Sequence, residues 1–182
     1  MSQLSELQPE ERGLLIGLPY RVGVWMSHSD DESGEADDIK EMKALEHIIK
    51  SIAKVHEQSA FVQEVAQETV SRKEKWETWA AHSFDILGDC EKAMAVLKRA
   101  VPANDLKDYR NTLINIAETV AAAYGEFGMG AEEDETSFGS FLNKVVGKFK
   151  GEAQEADFMN ISPAEDDALT RLKMALRLEE DS

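Results

Sequence analysis

Apolar residues recur three and four positions apart along most of this chain, a pattern that few folds accommodate. That spacing places apolar side chains on one face of an α-helix, whereas strands alternate apolar and polar residues at period two. Period-two alternation is almost absent, and the sequence contains only four prolines. The pattern therefore predicts an all-α fold, a compact bundle of about seven helices with a docked C-terminal helix.

Prolines predict some of the helix boundaries. The first helix is expected to begin near Pro9, because a first turn does not use the missing N–H, and Pro19 is expected to kink it or break it near Leu18. Two more helices are predicted at about 36–56 and 58–71, although no Gly or Pro marks the break between them.

The middle of the chain carries an aromatic stripe, Trp76 and Trp79, on a predicted helix that Pro102 should end. Asn104 is then the expected N-cap of the following helix. The aromatic stripe has two interpretations. Aromatic residues at helical spacing commonly belong to a core, but they also dominate the contact sites of protein interfaces.

The last helix has the most specific start signal. Ser162-Pro163-Ala164-Glu165 is a capping box with proline at the first helical position. The apolar residues behind it form one stripe that should dock on the rest of the chain: Leu169, Leu172, Ala175 and Leu176. We expect residues 1–150 to form the main helical domain, and residues 151–182 to supply an acidic connection and the docked helix.

The charge balance narrows the classes of partner. The chain has 36 Asp and Glu against 20 Lys and Arg, a formal net charge of −16, which argues against binding to nucleic acid or to an anionic membrane surface. No apolar run approaches ~20 residues, so direct membrane insertion is not expected. One cysteine, Cys90, and an acidic start without a basic leader segment are typical of a cytoplasmic protein.

Acidic residues concentrate in two polar segments. Carboxylate oxygens are the ligands that hard cations prefer, so these segments are candidate sites for a divalent cation such as Ca²⁺ or Mg²⁺, or for Zn²⁺. The alternative is that they are solvated acidic residues at the start of a helix. An EF-hand is excluded, because no register supplies both the required Gly and the final Glu. The candidate metal ligands are Asp30, Asp31, Glu35 and Asp37 in the first segment and Glu132, Asp134 and Glu135 in the second.

The two acidic segments align with each other as parts of an internal repeat. Glu35 aligns with Glu132 and Asp37 with Asp134, and the apolar positions of the helices that follow also align. Each copy reads as an apolar helix, an acidic loop and an amphipathic helix. Such a unit cannot bury its own apolar face, so two copies packed together would form one core.

On the stretches 22–53 and 119–146, about a third of the chain, the sequence resembles the TerB-like (tellurite-resistance) domain family. That family is all-helical and pseudo-duplicated, with acidic loops between its helices. The Asp that usually precedes the loop Gly is replaced by Ser33 before Gly34 and by Met129 before Gly130. The resemblance implies a cytoplasmic, non-enzymatic module linked to stress responses and to divalent-cation binding.

No motif of the sequence points to catalysis. A nucleophile elbow, a phosphate-binding loop and a zinc-protease motif are all absent. Asp89 and Glu91 flank Cys90 and should raise the pKa of its thiol, which disfavours a reactive thiolate. We therefore expect a protein without enzymatic activity that binds a cation or a basic partner. The alternative is a helical scaffold that binds another protein through Trp76 and Trp79 or through its last helix.

Overall fold

A computed structural model describes residues 3–27, 45–51, 53, 59–81, 85–127 and 163–177, and every regular element in these ranges is helical. The all-α prediction is confirmed. Residues 45–51 are helical, and a 3-10 helix spans Lys73–Lys75. The other elements are six α-helices, numbered here in chain order: α1 (Pro9–Ser27), α2 (Ala60–Ser71), α3 (Trp76–Ala81), α4 (Ile86–Ala100), α5 (Ala103–Phe127) and α6 (Pro163–Ala175).

Helix α1 is the centre of the bundle and contacts each of the other five α-helices. Every residue from Leu15 to Val24 is buried, although successive residues of a helix point in different directions. A helix that is apolar on all sides is stable only when neighbours surround it. The sequence predicts a broad apolar face for α1, and the structure shows that residues 15–24 are buried on every side.

The predicted break at Pro19 does not occur, because neighbouring helices replace the hydrogen bond that proline removes. Proline has no N–H, so the carbonyl of Leu15, four residues earlier, lacks its helical donor. The Tyr109 hydroxyl of α5 donates to that carbonyl at 2.8 Å. The Thr69 hydroxyl of α2 lies 2.7 Å from the next carbonyl, that of Ile16, and 2.8 Å from the Val65 carbonyl of its own helix, so its one proton is shared between them. Helix α1 therefore continues unbroken from Pro9 to Ser27.

Two ion pairs align α1 and α4 in opposite directions. Glu11 near the start of α1 pairs with Arg99 near the end of α4. Arg21, later in α1, pairs with Asp89 near the start of α4 at 2.5 Å. The same number of residues separates the two pairs on each helix, so the helices remain side by side between them. Arg21 is 8% exposed and Asp89 is half-buried, so the second pair lies at the edge of the core.

Helix α5 runs in the same direction as α1. Only Val101 and Pro102 separate α4 from α5, and a connection this short reverses the chain. Tyr109 marks the point where α5 meets Leu15 of α1. From that contact, burial extends toward the C-terminal end of both helices, as far as Met26 in α1 and Val120 in α5.

Helix α6 docks on α4, α5 and α1, as its apolar stripe predicts. Its buried residues are Ala168, Leu169, Leu172, Ala175 and Leu176. Pro163 stands at the first helical position, also as predicted. The division between residues 150 and 151, and the capping residue Ser162, lie outside the described residues.

Two predicted boundaries need correction. Helix α2 begins at Ala60, because the Ser59 hydroxyl accepts a hydrogen bond from the Val62 N–H at 3.0 Å and so caps the helix. Asn104 is not an N-cap. The Pro102 carbonyl already accepts from the Leu106 N–H, so α5 begins at Ala103 and Asn104 lies in its first turn. The predicted end before Pro102 is confirmed, since Val101 is extended.

Candidate functional site

The seven predicted metal ligands all lie outside the described residues. Asp30, Asp31, Glu35 and Asp37 follow α1, and Glu132, Asp134 and Glu135 follow α5. The structure does describe the two helices that lead into these segments. Their directions decide whether the two segments leave the bundle at the same end.

Helices α1 and α5 run in the same direction, so Ser27 and Phe127 terminate at the same end of the bundle. We call this the acidic end: the last turns of α1 and α5 and the two acidic segments that follow them in the sequence. A helix C-terminus carries a partial negative charge from its free carbonyl groups. Basic side chains commonly compensate that charge, but neither α1 nor α5 has one in its last turn. Two uncompensated helix ends thus precede the two acidic segments.

The acidic end also contains positive groups that are already paired. Helix α4 begins there, and Arg21 and Lys92 both approach Asp89, the latter at 3.7 Å. The helical residues 45–51 pack on α1 through Leu45, which faces Gly23. In this segment Glu46 accepts hydrogen bonds from Lys50 and Lys73, both at 2.7 Å, which lower the pKa of its carboxyl. Each of these two carboxylates is thus shared by two basic side chains, so the four basic groups exceed the two acidic ones by two charges.

Trp76 is part of the core and is not available to a partner. Its side chain is 3% exposed, its indole N–H donates to the Thr69 carbonyl at 3.0 Å, and its ring stacks on Tyr20 with centroids 4.5 Å apart. At Trp76 the structure thus favours the core interpretation of the aromatic stripe. Helix α3 packs against α1, so the Trp76 ring is buried between the helices and not exposed for a partner.

Trp79 is half-buried and sits over α1. Its ring lies 6.4 Å from that of Tyr20, and a methyl group at Gly17 would meet the indole at 3.5 Å. That distance is an ordinary van der Waals contact, so the indole packs on α1 beside Gly17 without depending on the missing side chain. The exposed part of Trp79 remains a candidate contact for a protein partner.

The buried titratable groups are held in their neutral forms. Burial raises the pKa of the Cys90 thiol to about 12, with Asp89 and Glu91 adding to the rise and Arg21 opposing it. Burial also raises the pKa of Tyr109 well above its usual value and that of Tyr20 to about 12. The predicted direction for Cys90 is confirmed, but its main cause is burial, which the sequence alone did not reveal.

Within the described ranges, no three His, Cys, Asp or Glu side chains converge in a way that could hold a metal ion. Helix α6 exposes one large apolar side chain, Met174, at 65%. No helix in these ranges has the length and apolar character needed to cross a membrane.

Comparison with known proteins returns no match: no family model fits the chain, and no curated protein or solved structure is significantly similar to it. The resemblance to the TerB-like family therefore stays a prediction. Function has to be inferred from the residues and geometry of this chain.

Proposed function

We propose that the protein is a non-enzymatic helical binding module, similar in role to TerB-like proteins, whose acidic end binds a divalent cation or a basic partner. One observation carries the proposal: α1 and α5 run in the same direction, so both acidic segments follow helices that end at the same end of the bundle. The resemblance extends the proposal to a cytoplasmic stress response such as tellurite resistance.

The attraction between the acidic end and a cation is electrostatic. Carboxylates brought near one another repel, and two helix C-termini add to the negative potential. A cation bound between them removes that repulsion and replaces lost hydration with carboxylate oxygens. A Lys- or Arg-rich partner would gain from the same potential. The neutral, buried state of Cys90 supports the non-enzymatic part of the proposal, since a nucleophilic thiol needs a lowered pKa.

Calorimetric titration of the full chain with Ca²⁺, Mg²⁺, Zn²⁺ and Mn²⁺ tests the cation form, and titration with a Lys-rich peptide tests the basic-partner form. We expect binding heat and a raised melting temperature with at least one ligand. The acidic-end variant should weaken that binding by about tenfold or more, because it removes oxygen ligands and charge. This variant carries Asp30→Asn, Asp31→Asn, Glu35→Gln and Asp37→Asn.

A matched control separates the site from the overall charge. The surface control removes the same number of carboxylates from exposed positions on α1, α3, α4 and α6, and should bind as the wild type does. Absence of heat and of a melting shift with every metal and with the peptide would end the proposal. The control carries Glu10→Gln, Glu77→Gln, Glu91→Gln and Asp166→Asn.

A second candidate function is a helical scaffold or adaptor. The exposed Met174 of α6 and the half-buried Trp79 of α3 favour it, because both offer apolar surface to a protein partner. Recovery of a defined partner should fall in Trp79→Ala or in Met174→Ser. Unchanged recovery with both variants would argue against these contact points.

A further inference from the structure

Helix α6 is held on the bundle by an apolar stripe. Its buried residues recur three and four positions apart, which is the pattern by which an amphipathic helix enters a groove on another protein. The groove is formed by α4 and α5, with α1 at its base. The stripe consists of Ala168, Leu169, Leu172, Ala175 and Leu176, and Leu172 and Leu176 are completely buried.

The opposite face of α6 is polar and stays in solvent. Asp167 and Arg171 pair with each other at 3.0 Å along the helix, and Asp166 and Thr170 are exposed beside them. An ion pair at the edge joins Lys173 to Glu118 of α5 at 3.5 Å when α6 is docked. The helix therefore has three features of a bound helical peptide: a buried apolar stripe, a polar outer face and an ion pair at its edge.

The chain connects this ligand to the bundle through a long segment. Helix α5 ends at Phe127 and α6 begins at Pro163, so residues 128–162 lie between groove and ligand in the sequence. A segment of that length can reach up to roughly 120 Å when extended, which exceeds the size of one molecule. Chain connectivity alone thus does not confine α6 to the groove of its own molecule.

We propose that the groove formed by α1, α4 and α5 is a helix-binding site for which α6 is an exchangeable ligand, and that α6 of a second copy of this chain can occupy it. The second copy is the partner because its α6 presents the same apolar stripe and the same lysine for Glu118. The molecule's own α6 competes at an effective concentration on the order of 1 mM, so it fills the groove in dilute solution.

A labelled peptide of residues 161–178, titrated with the full-length chain, tests the exchange by fluorescence anisotropy. The variant Leu172→Asp undocks α6 and frees the groove, whereas Met174→Asp adds the same charge to the exposed face of the same helix. We expect Leu172→Asp to bind the peptide with a Kd of about 10 μM, a hundredth of the millimolar effective concentration. Wild type and Met174→Asp should bind about 100-fold more weakly, because their own α6 competes at millimolar effective concentration.

The peptide that itself carries Leu172→Asp should bind none of the three proteins. Leu169→Ala with Leu172→Ala, which buries no charge, serves as the second groove-freeing variant. The proposal is overturned if folded groove-freeing variants bind no peptide, if all proteins bind it equally, or if both variants unfold the whole bundle. These outcomes are independent of metal or peptide binding at the acidic end, which none of the substitutions touches.

Discussion

At the scale of single residues, two tyrosines place the same hydroxyl group in the core with different consequences. The Tyr109 hydroxyl donates to the Leu15 carbonyl, which Pro19 leaves without a helical donor. The Tyr20 hydroxyl is buried and has no hydrogen-bond partner among the residues that the structure describes. Removing the Tyr109 hydroxyl leaves the Leu15 carbonyl without a donor, whereas removing the Tyr20 hydroxyl takes away only an unpaired polar atom.

We therefore expect Tyr109→Phe to lower the free energy of unfolding by about 1–3 kcal/mol and Tyr20→Phe to leave it unchanged or raise it. Urea denaturation of both variants beside the wild type measures the difference. Each variant is the matched control for the other, since both delete one oxygen from a buried ring. Equal losses in the two variants would contradict the hydrogen-bond argument.

The buried thiol of Cys90 makes the free energy of unfolding depend on pH. Burial raises its pKa from the ordinary thiol value of 9.0 to about 12, so the folded state disfavours the thiolate. The stabilising contribution is complete below pH 9 and is lost as pH rises toward 12, because the unfolded chain gives up its proton first. We expect Cys90→Ala to flatten the fall in the free energy of unfolding between pH 9 and pH 11. A fall as steep as in the wild type would contradict this assignment.

At the scale of elements, α1 depends on its neighbours at Pro19, and a double-mutant cycle can measure that dependence. In Pro19→Ala the backbone N–H returns and can donate to the Leu15 carbonyl. Tyr109→Phe should then cost less than it does beside the proline, by about 1 kcal/mol or more. Urea denaturation of the four proteins of the cycle gives the coupling. Identical costs in the two backgrounds would show that the hydroxyl does not replace the missing N–H.

Two glycines of α1 should respond to alanine in opposite ways. Gly13 is exposed and an added methyl group would meet nothing within 4 Å, so Gly13→Ala should raise stability by about 0.5–1 kcal/mol through helix propensity alone. At Gly23 the added carbon would lie 2.8 Å from Leu45 Cδ2 and closer still to Cδ1. Because Leu45 is buried, we expect Gly23→Ala to lower the melting temperature. A rise in both variants would contradict the close approach of residues 45–51 to α1.

Local sequence signals predicted some parts of these elements and could not predict others. Pro9, Pro102 and Pro163 marked boundaries correctly, because proline acts on the residues next to it. The break predicted at Pro19 was wrong, because the Tyr109 hydroxyl supplies the hydrogen bond that the proline removes. That residue is 90 positions away in the sequence (109 − 19), so no local pattern reveals it. The stripe of α6 was predicted because amphipathic spacing is local. The burial of every residue from 15 to 24 of α1 was not predicted, because a stretch that is apolar on nearly all sides reveals no single face.

At the scale of the whole molecule, the directions of the helices say more about the candidate site than the amino-acid composition does. The sequence reveals two acidic segments, but only the alignment of α1 with α4, and of α4 with α5, places the helix ends before them at the same end of the bundle. Ion pairs such as Glu11 with Arg99 join residues far apart in the chain, so no local pattern indicates them. The candidate ligands themselves, from Asp30 to Glu135, remain predictions of the sequence.

The net charge of −16 makes the stability of the whole molecule dependent on salt. Raising NaCl from about 10 to 150 mM shortens the screening length from about 30 to 8 Å, so repulsion among carboxylates falls and the melting temperature should rise. If repulsion is concentrated at the acidic end, the acidic-end variant should lose more of this salt dependence than the surface control. Both variants remove the same number of charges, so overall charge cannot explain a difference between them. Differential scanning calorimetry at the two salt concentrations measures it, and equal losses would mean that the acidic segments do not concentrate the repulsion.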